Sequence, residues 1–309
     1  MESFTNNFLK KKILVYGLGK SGLSTLKFLR KKSEIYAYDD FDNRIKNLKL
    51  KKKIIKLNEI KKIKFDKIIL SPGIDIYNCK LSNFLRSNKD KIYTDLDVFF
   101  SFNKNYCITI TGTNGKSTTC QLLYEVLRKQ KFDVRLVGNI GKPILSEIKI
   151  KKKTIFVVEA SSYQLEYSKI FKSKYAVIIN ISPDHIERHK TLNNYIKAKL
   201  KLIESQSKGD LAFVKKKDKL IDKGLNSIKL NSKLIKTDTK INNSFLKKIK
   251  NNYFSNEANK ENLSFVLAIA EKLKLNKKLL LRTIEKFKGL KYRQQIIYKK
   301  SKLLIINDS

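Results

Sequence analysis

Residues 106–119 read YCITITGTNGKSTT, and this stretch decides the fold of the larger part of the chain. An apolar strand over Cys107–Ile110 runs into a turn with two glycines, and a helix to about Lys131 follows. Backbone N–H groups exposed at the start of such a helix, together with the helix dipole, bind anions. Gly112 and Gly115 let a phosphate approach the backbone with no side chain in the way. The stretch therefore predicts a phosphate-binding turn at the edge of a parallel sheet.

Two side chains of this turn carry the chemistry. Lys116 is placed to reach the β- and γ-phosphates of a nucleotide, and the Ser117 hydroxyl is placed to bind Mg²⁺. The match to the general phosphate-loop pattern is imperfect, because Ile110 stands where that pattern has its first glycine. The alternative is a plain strand–turn–helix unit with a lysine on its surface.

Acidic and imidazole groups follow two later strands. Thr154–Val158 predicts a strand that ends at Glu159, and Tyr175–Ile181 predicts another that leads to Asp184 and His185. The carboxyl ends of parallel strands face the crevice where ligands bind. A carboxylate there is a hard oxygen ligand that suits Mg²⁺. The competing interpretations are surface or helix-capping acids and a hydrogen-bonded, structural imidazole.

The first hundred residues contain a similar strand–turn–helix unit. A strand over Lys12–Tyr16 precedes Gly17–Gly22, GLGKSG, which fits the GxGxxG pattern of dinucleotide-binding turns. Asp39 follows a second strand, Glu34–Tyr38, at the spacing of a ribose-binding acid. Taken alone, these features indicate a nicotinamide-nucleotide site, yet the same turn holds any diphosphate. A further strand, Phe65–Leu70, ends at a Ser-Pro-Gly turn.

Strands that alternate with helices predict an α/β protein with parallel sheets covered on both faces. We predict an N-terminal Rossmann-like parallel-sheet domain over residues 1–102. A central ATPase domain of the P-loop type is predicted over residues 103–290. Residues 291–309 would begin a further domain.

The second half of the central domain is less regular in sequence. Residues 215–252 are rich in lysine and asparagine with weak periodicity, and we interpret them as loops and short strands. Helices are predicted over Glu257–Leu273 and Lys277–Phe287. A hinge is predicted over residues 288–291, followed by two short strands, Gln295–Tyr298 and Leu303–Ile306.

The net charge of the chain is +40, from 68 Lys and Arg residues against 28 Asp and Glu residues. Such an excess attracts nucleic acid or anionic membranes. The lysines are spread along the whole chain, however, whereas a binding patch clusters. We therefore interpret the charge as a compositional bias toward A/T-rich codons and expect no nucleic-acid partner.

Apolar patterning and cysteine usage narrow the class of protein further. The chain is 41% hydrophobic. It has no run of roughly 18 apolar residues, the length that a membrane-spanning helix needs. No signal-peptide core precedes the first strand, so we expect a cytoplasmic protein without membrane insertion. The three cysteines, Cys79, Cys107 and Cys120, show no pairing pattern and are expected to be reduced and buried.

The phosphate-binding turn and its neighbours resemble one enzyme family. TGTNGKST, residues 111–118, is similar to the ATP loop of the Mur ligase and folylpolyglutamate synthetase superfamily. VVEASSYQLE, residues 157–166, resembles a ligand-binding segment of the Mur ligases that add D-glutamate. The resemblance covers essentially the whole chain, with its motifs in family order. It implies an ATP-dependent amide ligase of peptidoglycan precursor synthesis, which joins D-glutamate to UDP-N-acetylmuramoyl-L-alanine through an acyl phosphate.

The resemblance also implies roles for individual residues. ATP would be bound by Gly112, Thr113, Asn114, Gly115, Lys116, Ser117, Thr118, Asn259, Asn262, Arg293 and Asp308. Two Mg²⁺ ions would be held by Ser117, Glu159, His185 and a Lys199 carboxylated by CO₂. The catalytic residues would be Lys116, His185 and Lys199. Helix capping is the competing role for the two asparagines.

The UDP-linked substrate would be bound by Lys20, Ser21, Asp39, Gly73, Asn139 and His185. The chain departs from the family at three places. Ala258 replaces a usual histidine beside the adenine contacts, Lys291-Tyr292 replace a Pro-His pair before Arg293, and Phe41 stands where an arginine is usual. The nucleotide and uridine contacts near these positions are expected to differ.

The family's third domain follows a segment similar to the last three residues of this chain, Asn307-Asp308-Ser309. We therefore expect an incomplete protein that binds nucleotides and forms no amide. Separately, we expect a monomer. Turnover with D-glutamate comparable to that of a complete ligase would contradict this expectation.

Three other classes of protein account for part of the sequence. A folylpolyglutamate synthetase shares the ATP loop but lacks the leading GxGxxG domain and the SSYQLE segment. A nicotinamide dehydrogenase would explain residues 12–39 but not Lys116. A basic nucleic-acid-binding protein would explain the charge alone, and its affinity would fall steeply with salt.

Overall fold

The computed structural model describes residues 6–41, 54–290, 295–300 and 303–307. Within these residues the first sheet is entirely parallel. Its strands are β1 (Lys12–Tyr16), β2 (Glu34–Tyr38), β3 (Lys67–Leu70) and β4 (Ile92–Tyr93), in the order β2-β1-β3-β4. The strand expected over Phe65–Leu70 begins two residues later than predicted. The helices that accompany this sheet in the described part of the chain are α1 (Lys20–Leu29), α2 (Leu57–Ile60), α3 (Ser82–Ser87) and α4 (Asp95–Phe102).

Alternate residues of β1 enter different apolar cores. Ile13 and Val15 belong to a core with helix α1, whereas Leu14 and Tyr16 pack in a core on the opposite face. This is the period of two that a strand covered on both sides requires. Each fully buried aliphatic side chain contributes about 1.5–3 kcal/mol to folding. The turn after β1 is therefore held by a strand with no freedom to shift register.

The second sheet is larger and is also entirely parallel. Its strands are β5 (Tyr106–Thr111), β6 (Val134–Gly138), β7 (Ile155–Glu159), β8 (Tyr175–Ile178), β9 (Leu211–Lys215) and β10 (Lys233–Thr237). The order is β10-β9-β8-β5-β7-β6, so β5 lies between β7 and β8. The carboxyl ends of these three neighbouring strands lead to the phosphate-binding turn, to Glu159 and to the Asp184–His185 segment, as the sequence predicted.

Helices cover both faces of this sheet. They are α5 (Lys116–Lys129), α6 (Ser162–Tyr167), α7 (Ile186–His189), α8 (Leu192–Glu204), α9 (Lys219–Leu225), α10 (Asn243–Lys248), α11 (Glu257–Lys272) and α12 (Lys277–Lys286). On one face α5, α11 and α12 pack against β5 and β7, and on the other face α8 packs with residues of β7 and β8. The α/β fold with parallel sheets is thereby confirmed.

The interpretation of residues 215–252 as loops and short strands was correct for the short strand β10 but missed two helices. Besides β10 this segment forms the helices α9 and α10. Both are short, so neither displays an extended apolar stripe, and each depends on a capping side chain. The Asp218 carboxylate accepts from the N–H groups of Leu220 and Ile221 at 3.1 Å, and Asn242 caps α10 through the N–H of Ser244.

A buried carboxylate is one of the groups that join the two sheets. Asp97, in α4, has no exposed surface. Its Oδ1 accepts from the N–H groups of Lys169, Ile170 and Phe171 at 2.8–3.1 Å and from the hydroxyl of Ser168. Hydrogen bonds to a charged acceptor are about twice as strong as neutral ones. The helix that follows the first sheet is thus anchored to the loop before β8.

Two further strands, β11 (Gln295–Lys300) and β12 (Leu303–Asn307), form an antiparallel hairpin. Both were expected, and each is slightly longer than predicted. All three cysteines are free; Cys107 and Cys120 are buried and Cys79 is half-buried. None of the helices in the described ranges combines the length and the apolarity that crossing a membrane demands.

Candidate active site

The phosphate-binding turn connects β5 to α5. Gly115 immediately precedes the helix in the left-handed conformation, with φ of +80°. A Cβ at this position would lie 2.0 Å from Oδ1 of Asn262, on α11. Glycine is therefore required here by both the backbone angle and the close approach of Asn262. The turn leaves the start of α5 open to an anion, since no acidic residue lies in the first turn of this helix.

Two lysines meet at the carbonyl of Gly112. Lys116 Nζ donates to the oxygens of Gly112 and Thr113 at 3.0 and 2.8 Å, and Lys199 Nζ donates to Gly112 O at 2.7 Å. Lys199 is 2% exposed. Burial, followed by the neighbouring charge of Lys116, lowers the pKa of Lys199 to about 7. Its amine is therefore partly neutral near pH 7, unlike that of an ordinary lysine.

A polar chain that was not predicted from the sequence holds the turn in place. Oδ1 of Asn180, just after β8, accepts from the N–H groups of Thr113 and Asn114 at 3.1 and 3.0 Å. Its Nδ2 donates to Glu261 at 2.6 Å, and Glu261 in turn pairs with Lys215. A polar residue directly after an apolar strand was the available signal for Asn180. Nothing local in the sequence pointed to Glu261 or Lys215, which join it only in the fold.

Glu159 ends β7 beside the turn and is 1% exposed. Its Oε1 accepts from Asn139 Nδ2 at 2.9 Å. Its Oε2 is buried and has no hydrogen-bond partner. A buried carboxylate oxygen without a partner is costly, and a divalent cation is a group that satisfies it. The observed environment of Glu159 thus fits the predicted Mg²⁺ ligand.

The two histidines differ sharply in environment. His185 has a positive φ of +52° at the start of α7, and its side chain is 44% exposed. Its ring lies 5.1 Å from that of Tyr163 and its Nε2 lies 3.5 Å from Asp184. His189 is buried, with Nε2 at 3.0 Å from the Ser162 hydroxyl. Burial is the main cause that lowers the pKa of His189 to about 4.

A cavity of about 710 Å³ opens onto the turn. Most of the predicted ATP and metal contacts line it: Thr113, Asn114, Gly115, Lys116, Ser117, Thr118, Glu159, Asn259 and Asn262. Gly112, Lys199 and His185 are not among its lining residues, although Lys199 bonds to the turn from behind. Arg293 and Asp308 lie outside the described residues. The same cavity also contains Asn180, Lys215 and Glu261 in its wall.

A second cavity, of about 350 Å³, opens onto the first glycine turn. The predicted substrate contacts Lys20, Ser21, Gly73 and Asn139 line it. Asp39 does not, because its carboxylate is buried and accepts from the N–H groups of Leu18 and Phe41 at 2.5 and 3.0 Å. The acid that was expected to contact the substrate thus holds the backbone of the turn.

Asn139 lines both cavities. It follows β6, at the edge of the second sheet, and its side chain bonds to Glu159. In the part of the chain that the structure describes, no group of three or more His, Cys, Asp and Glu side chains is arranged to hold a metal by itself. A metal at Glu159 would therefore need ligands of other kinds, such as the Ser117 hydroxyl and phosphate oxygens.

Comparison with known proteins agrees with this arrangement. A family model described as "Mur ligase middle domain" matches residues 110–280, and one described as "Mur ligase MurD-like, N-terminal domain" matches residues 11–92. UDP-N-acetylmuramoylalanine--D-glutamate ligase of Rickettsia bellii (strain RML369-C) is 33% identical over an alignment 328 residues long, gaps included, that covers 97% of this chain and 71% of that protein. The protein of the same name from Buchnera aphidicola subsp. Schizaphis graminum (strain Sg) is 35% identical, with 98% and 72% covered.

Solved structures share the fold at low sequence identity. UDP-N-acetylmuramate:L-alanyl-gamma-D-glutamyl-meso-diaminopimelate ligase (MPL) of Neisseria meningitides superposes with a TM-score of 0.60 at 14% identity, covering 91% of this chain and 99% of that chain. UDP-N-acetylmuramate-alanine ligase of Thermotoga maritima gives a TM-score of 0.53 at 16% identity, with 96% and 74% covered. MurF ligase of the same organism, in complex with ADP, gives 0.51 at 12% identity, with 99% and 72% covered.

Proposed function

Because this chain belongs to the Mur ligase family, we propose that it is the ATP-dependent ligase that adds D-glutamate to UDP-N-acetylmuramoyl-L-alanine in peptidoglycan synthesis. The family is established by the two matching family models and by relatives above 30% identity. The choice of D-glutamate as the amine follows the name that these relatives share. A cytoplasmic location is part of the proposal, since ATP and a UDP-linked substrate are both required.

The observation that carries the proposal is the pair of cavities that meet at Asn139. A UDP group held at the first glycine turn and a triphosphate held at the second would approach each other from opposite sides of this residue. Lys20 and Ser21 lie at one end, Lys116 and Ser117 at the other. A ligase that activates a carboxylate with ATP needs this arrangement, whereas a dehydrogenase has no use for the second turn.

The reaction would proceed in two steps. The alanyl carboxylate of the substrate attacks the γ-phosphorus of ATP, giving an acyl phosphate and ADP. The amine of D-glutamate then attacks the acyl carbon, and inorganic phosphate leaves. Phosphoryl transfer depends mainly on positioning and on neutralising charge. Lys116 supplies a positive charge at the turn, and releasing its bonds to Gly112 and Thr113 would let it follow the transferred phosphoryl group.

Two Mg²⁺ ions are part of the proposal, because they neutralise the phosphate oxygens when bound. Glu159 supports one site through its unpartnered Oε2, with Ser117 as a second ligand. Lys199 supports the other. Its burial and a pKa near 7 give the neutral amine that reacts with CO₂, and the resulting carbamate is an oxygen ligand. His185 is proposed to contribute to this second site, since its ring lies 6.2 Å from that of Tyr195 and Lys199 Nζ lies 4.5 Å from the same ring.

Calorimetric titration tests the binding part of the proposal. The wild-type chain is expected to bind one Mg·ATP and one UDP-N-acetylmuramoyl-L-alanine, each without displacing the other. Lys116→Ala should weaken Mg·ATP about 100-fold, as expected for loss of charged hydrogen bonds of about 1.5–3 kcal/mol each, and should leave the UDP ligand unaffected. Lys20→Ala, a matched lysine at the first turn, should weaken the UDP ligand alone. Binding of NAD in place of the UDP ligand would refute the assignment.

The identity of the amine is tested separately, and the same measurement tests the expectation from the sequence that the chain forms no amide. Product formation is followed by mass spectrometry with D-glutamate, L-glutamate or meso-diaminopimelate as the only amino acid supplied. A product with either of the other two and none with D-glutamate would contradict the proposal. Carboxylation of Lys199 is tested by ¹³C NMR after equilibration with ¹³C-bicarbonate, where a carbamate signal should be present in the wild type and absent in Lys199→Met.

A further inference from the structure

The wall of the 710 Å³ cavity changes character along its length. Around the phosphate-binding turn it is formed by small polar residues and Lys116. Away from the turn it is formed by Tyr253, Ala258 and Asn259. Of the residues that line this cavity in the described ranges, Tyr253 is the one with an aromatic ring. Its side chain is half-buried, so part of the ring faces the cavity.

Positions along helix α11 indicate how a nucleotide would be oriented in the cavity, from its phosphates to its base. Asn262 touches Gly115, since a Cβ there would lie 2.0 Å from its Oδ1. Asn259 is three residues earlier on the same helix face, and Ala258 is four residues earlier. At about 1.5 Å of rise per residue, they lie roughly 4.5–6 Å from Asn262 along the helix axis, and Asn259 Nδ2 donates to the backbone oxygen of Tyr253 at 2.8 Å. A nucleotide whose phosphates occupy the turn would therefore place its sugar and base toward Ala258 and Tyr253.

The Tyr253 ring is held in position on several sides. The backbone oxygen of Tyr253 accepts from Asn259 Nδ2 at 2.8 Å, and the backbone N–H of Tyr253 donates to Asn251 Oδ1 at 3.0 Å. The rings of Phe254 and Phe287 each contact it edge-on at 5.3 Å. Gly289 packs against one side of the ring, where a Cβ would lie 2.3 Å from Cε2. The ring is thus fixed before any ligand binds, which reduces the entropy cost of stacking.

We propose that Tyr253 stacks on the base of the bound nucleotide and makes the site select a purine nucleoside triphosphate. The exposed methyl group of Ala258 beside it leaves room for the base. Stacking on an aromatic ring changes affinity by about tenfold per base. A purine covers more of the ring than a pyrimidine does. This inference rests on the proposed use of ATP at the same cavity.

The test separates contacts to the base from contacts to the phosphates. Dissociation constants are measured calorimetrically for Mg·ATP, Mg·CTP and magnesium tripolyphosphate. The variants are Tyr253→Phe, which keeps the ring, and Tyr253→Leu, which keeps apolar packing against Phe254 and Phe287 without a ring. Tyr77→Leu is the matched control, because Tyr77 lies far along the chain in the first domain and is 46% exposed.

Tyr253→Leu is expected to weaken Mg·ATP about tenfold, to reduce the preference for ATP over CTP, and to leave tripolyphosphate within twofold of wild type. Tyr253→Phe and Tyr77→Leu should match wild type. Equal losses for ATP, CTP and tripolyphosphate, or an unchanged ATP affinity, would overturn the role of Tyr253. Absence of Lys116-dependent ATP binding in the wild type would instead refute the proposed function.

Discussion

The two glycine turns share a strand–turn–helix arrangement, but their glycines have different structural roles. At the first turn Gly19 precedes α1 in extended conformation, and a Cβ there would meet nothing within 4 Å. Close packing falls instead on Gly22, whose added Cβ would lie 1.7 Å from the carbonyl oxygen of Gly17. At the second turn the residue directly before the helix, Gly115, is itself left-handed and crowded by Asn262. The first turn is thus tightened at Gly17, which has a φ of +91°, and inside the helix at Gly22, whereas the second is tightened at the residue directly before its helix.

The charges around the two turns differ as well. At the first turn the buried Asp39 carboxylate is used to hold backbone N–H groups. At the second, Lys116 and Lys199 converge on one carbonyl, and the unpartnered oxygen of Glu159 lies in the cavity wall. In our proposal the same fold unit therefore binds a ligand in one place and carries out phosphoryl transfer in the other.

The largest effect is expected where the first turn is tightest. Gly22→Ala should destabilise the chain by about 3 kcal/mol or more, because its Cβ would collide with backbone rather than with a flexible side chain. The collision outweighs the gain of about 1 kcal/mol in helix propensity. Gly19→Ala is the matched control and should change stability by no more than about 0.5 kcal/mol. Urea denaturation of both variants measures the difference, and equal stabilities would remove this distinction between the glycines.

A smaller loss of stability is expected from a substitution at Gly115, the last residue of the second turn. Gly115→Ala should cost about 2 kcal/mol, from the left-handed backbone and the displacement of Asn262. It should also weaken Mg·ATP, since the N–H groups of the turn would shift. Combining it with Asn262→Ala should recover the steric part of the loss in stability but not the part due to φ. A double-mutant cycle measured by urea denaturation gives the two parts, and complete recovery would show that the backbone angle has no cost here.

A substitution at Asn180 tests whether its side chain stabilises the backbone of the second turn. Asn180→Ala leaves the N–H groups of Thr113 and Asn114 without their side-chain acceptor, and it should cost about 1–2 kcal/mol. Mg·ATP binding should weaken, while the UDP ligand at the first turn should bind as before. Asn226→Ala, at an exposed asparagine, is the control. If Asn180→Ala were as stable as this control and bound ATP normally, the turn would be rigid without its polar support.

The sequence alone predicted the elements that carry their own signal. Strong apolar runs and glycine patterns placed β1, β5, β7 and both turns, and the strand-end position of Glu159 followed from them. The rule that parallel strands gather their carboxyl ends at one edge then brought Glu159 to the phosphate-binding turn. These inferences needed only local pattern and one rule of topology.

The remaining features depend on contacts between distant segments. Asn180, Glu261 and Lys215 form one polar chain, yet 81 positions separate the first two in sequence. Asp39 matched the spacing of a ribose-binding acid, but its carboxylate is turned toward the backbone of Leu18. Spacing along a chain predicts which residues come near each other and does not determine which way a side chain points. The helices α9 and α10 were missed for a related reason: capping side chains stabilise them more than an apolar stripe does, so their sequences show only a weak helical pattern.

The smallest expected effect concerns helix α7, which contains Arg188 and His189. Arg188 donates to the carbonyls of Pro72 and Ile74 beside the first cavity, and His189 is buried next to it. Burial, then the charges of Arg188 and Lys199, lowers the pKa of His189 from 6.5 to about 4. Between these two values the unfolded chain binds a proton that the folded chain does not. Stability that is present above pH 6.5 is therefore lost as the pH falls toward 4.

His189→Gln should remove this dependence. Between pH 7.5 and 5.5 the wild type is expected to lose roughly 1 kcal/mol more than the variant in its free energy of unfolding, measured by urea denaturation at each pH. Glu166, 3.4 Å from the His189 ring, is present in both proteins, so the subtraction removes its own titration. Parallel curves for the two proteins would mean that His189 titrates alike in the folded and unfolded chain. The segment that contains Arg188 and His189 would then contribute the same stability at every pH. In that case the two glycine turns would differ in electrostatics only through the charges at the second turn.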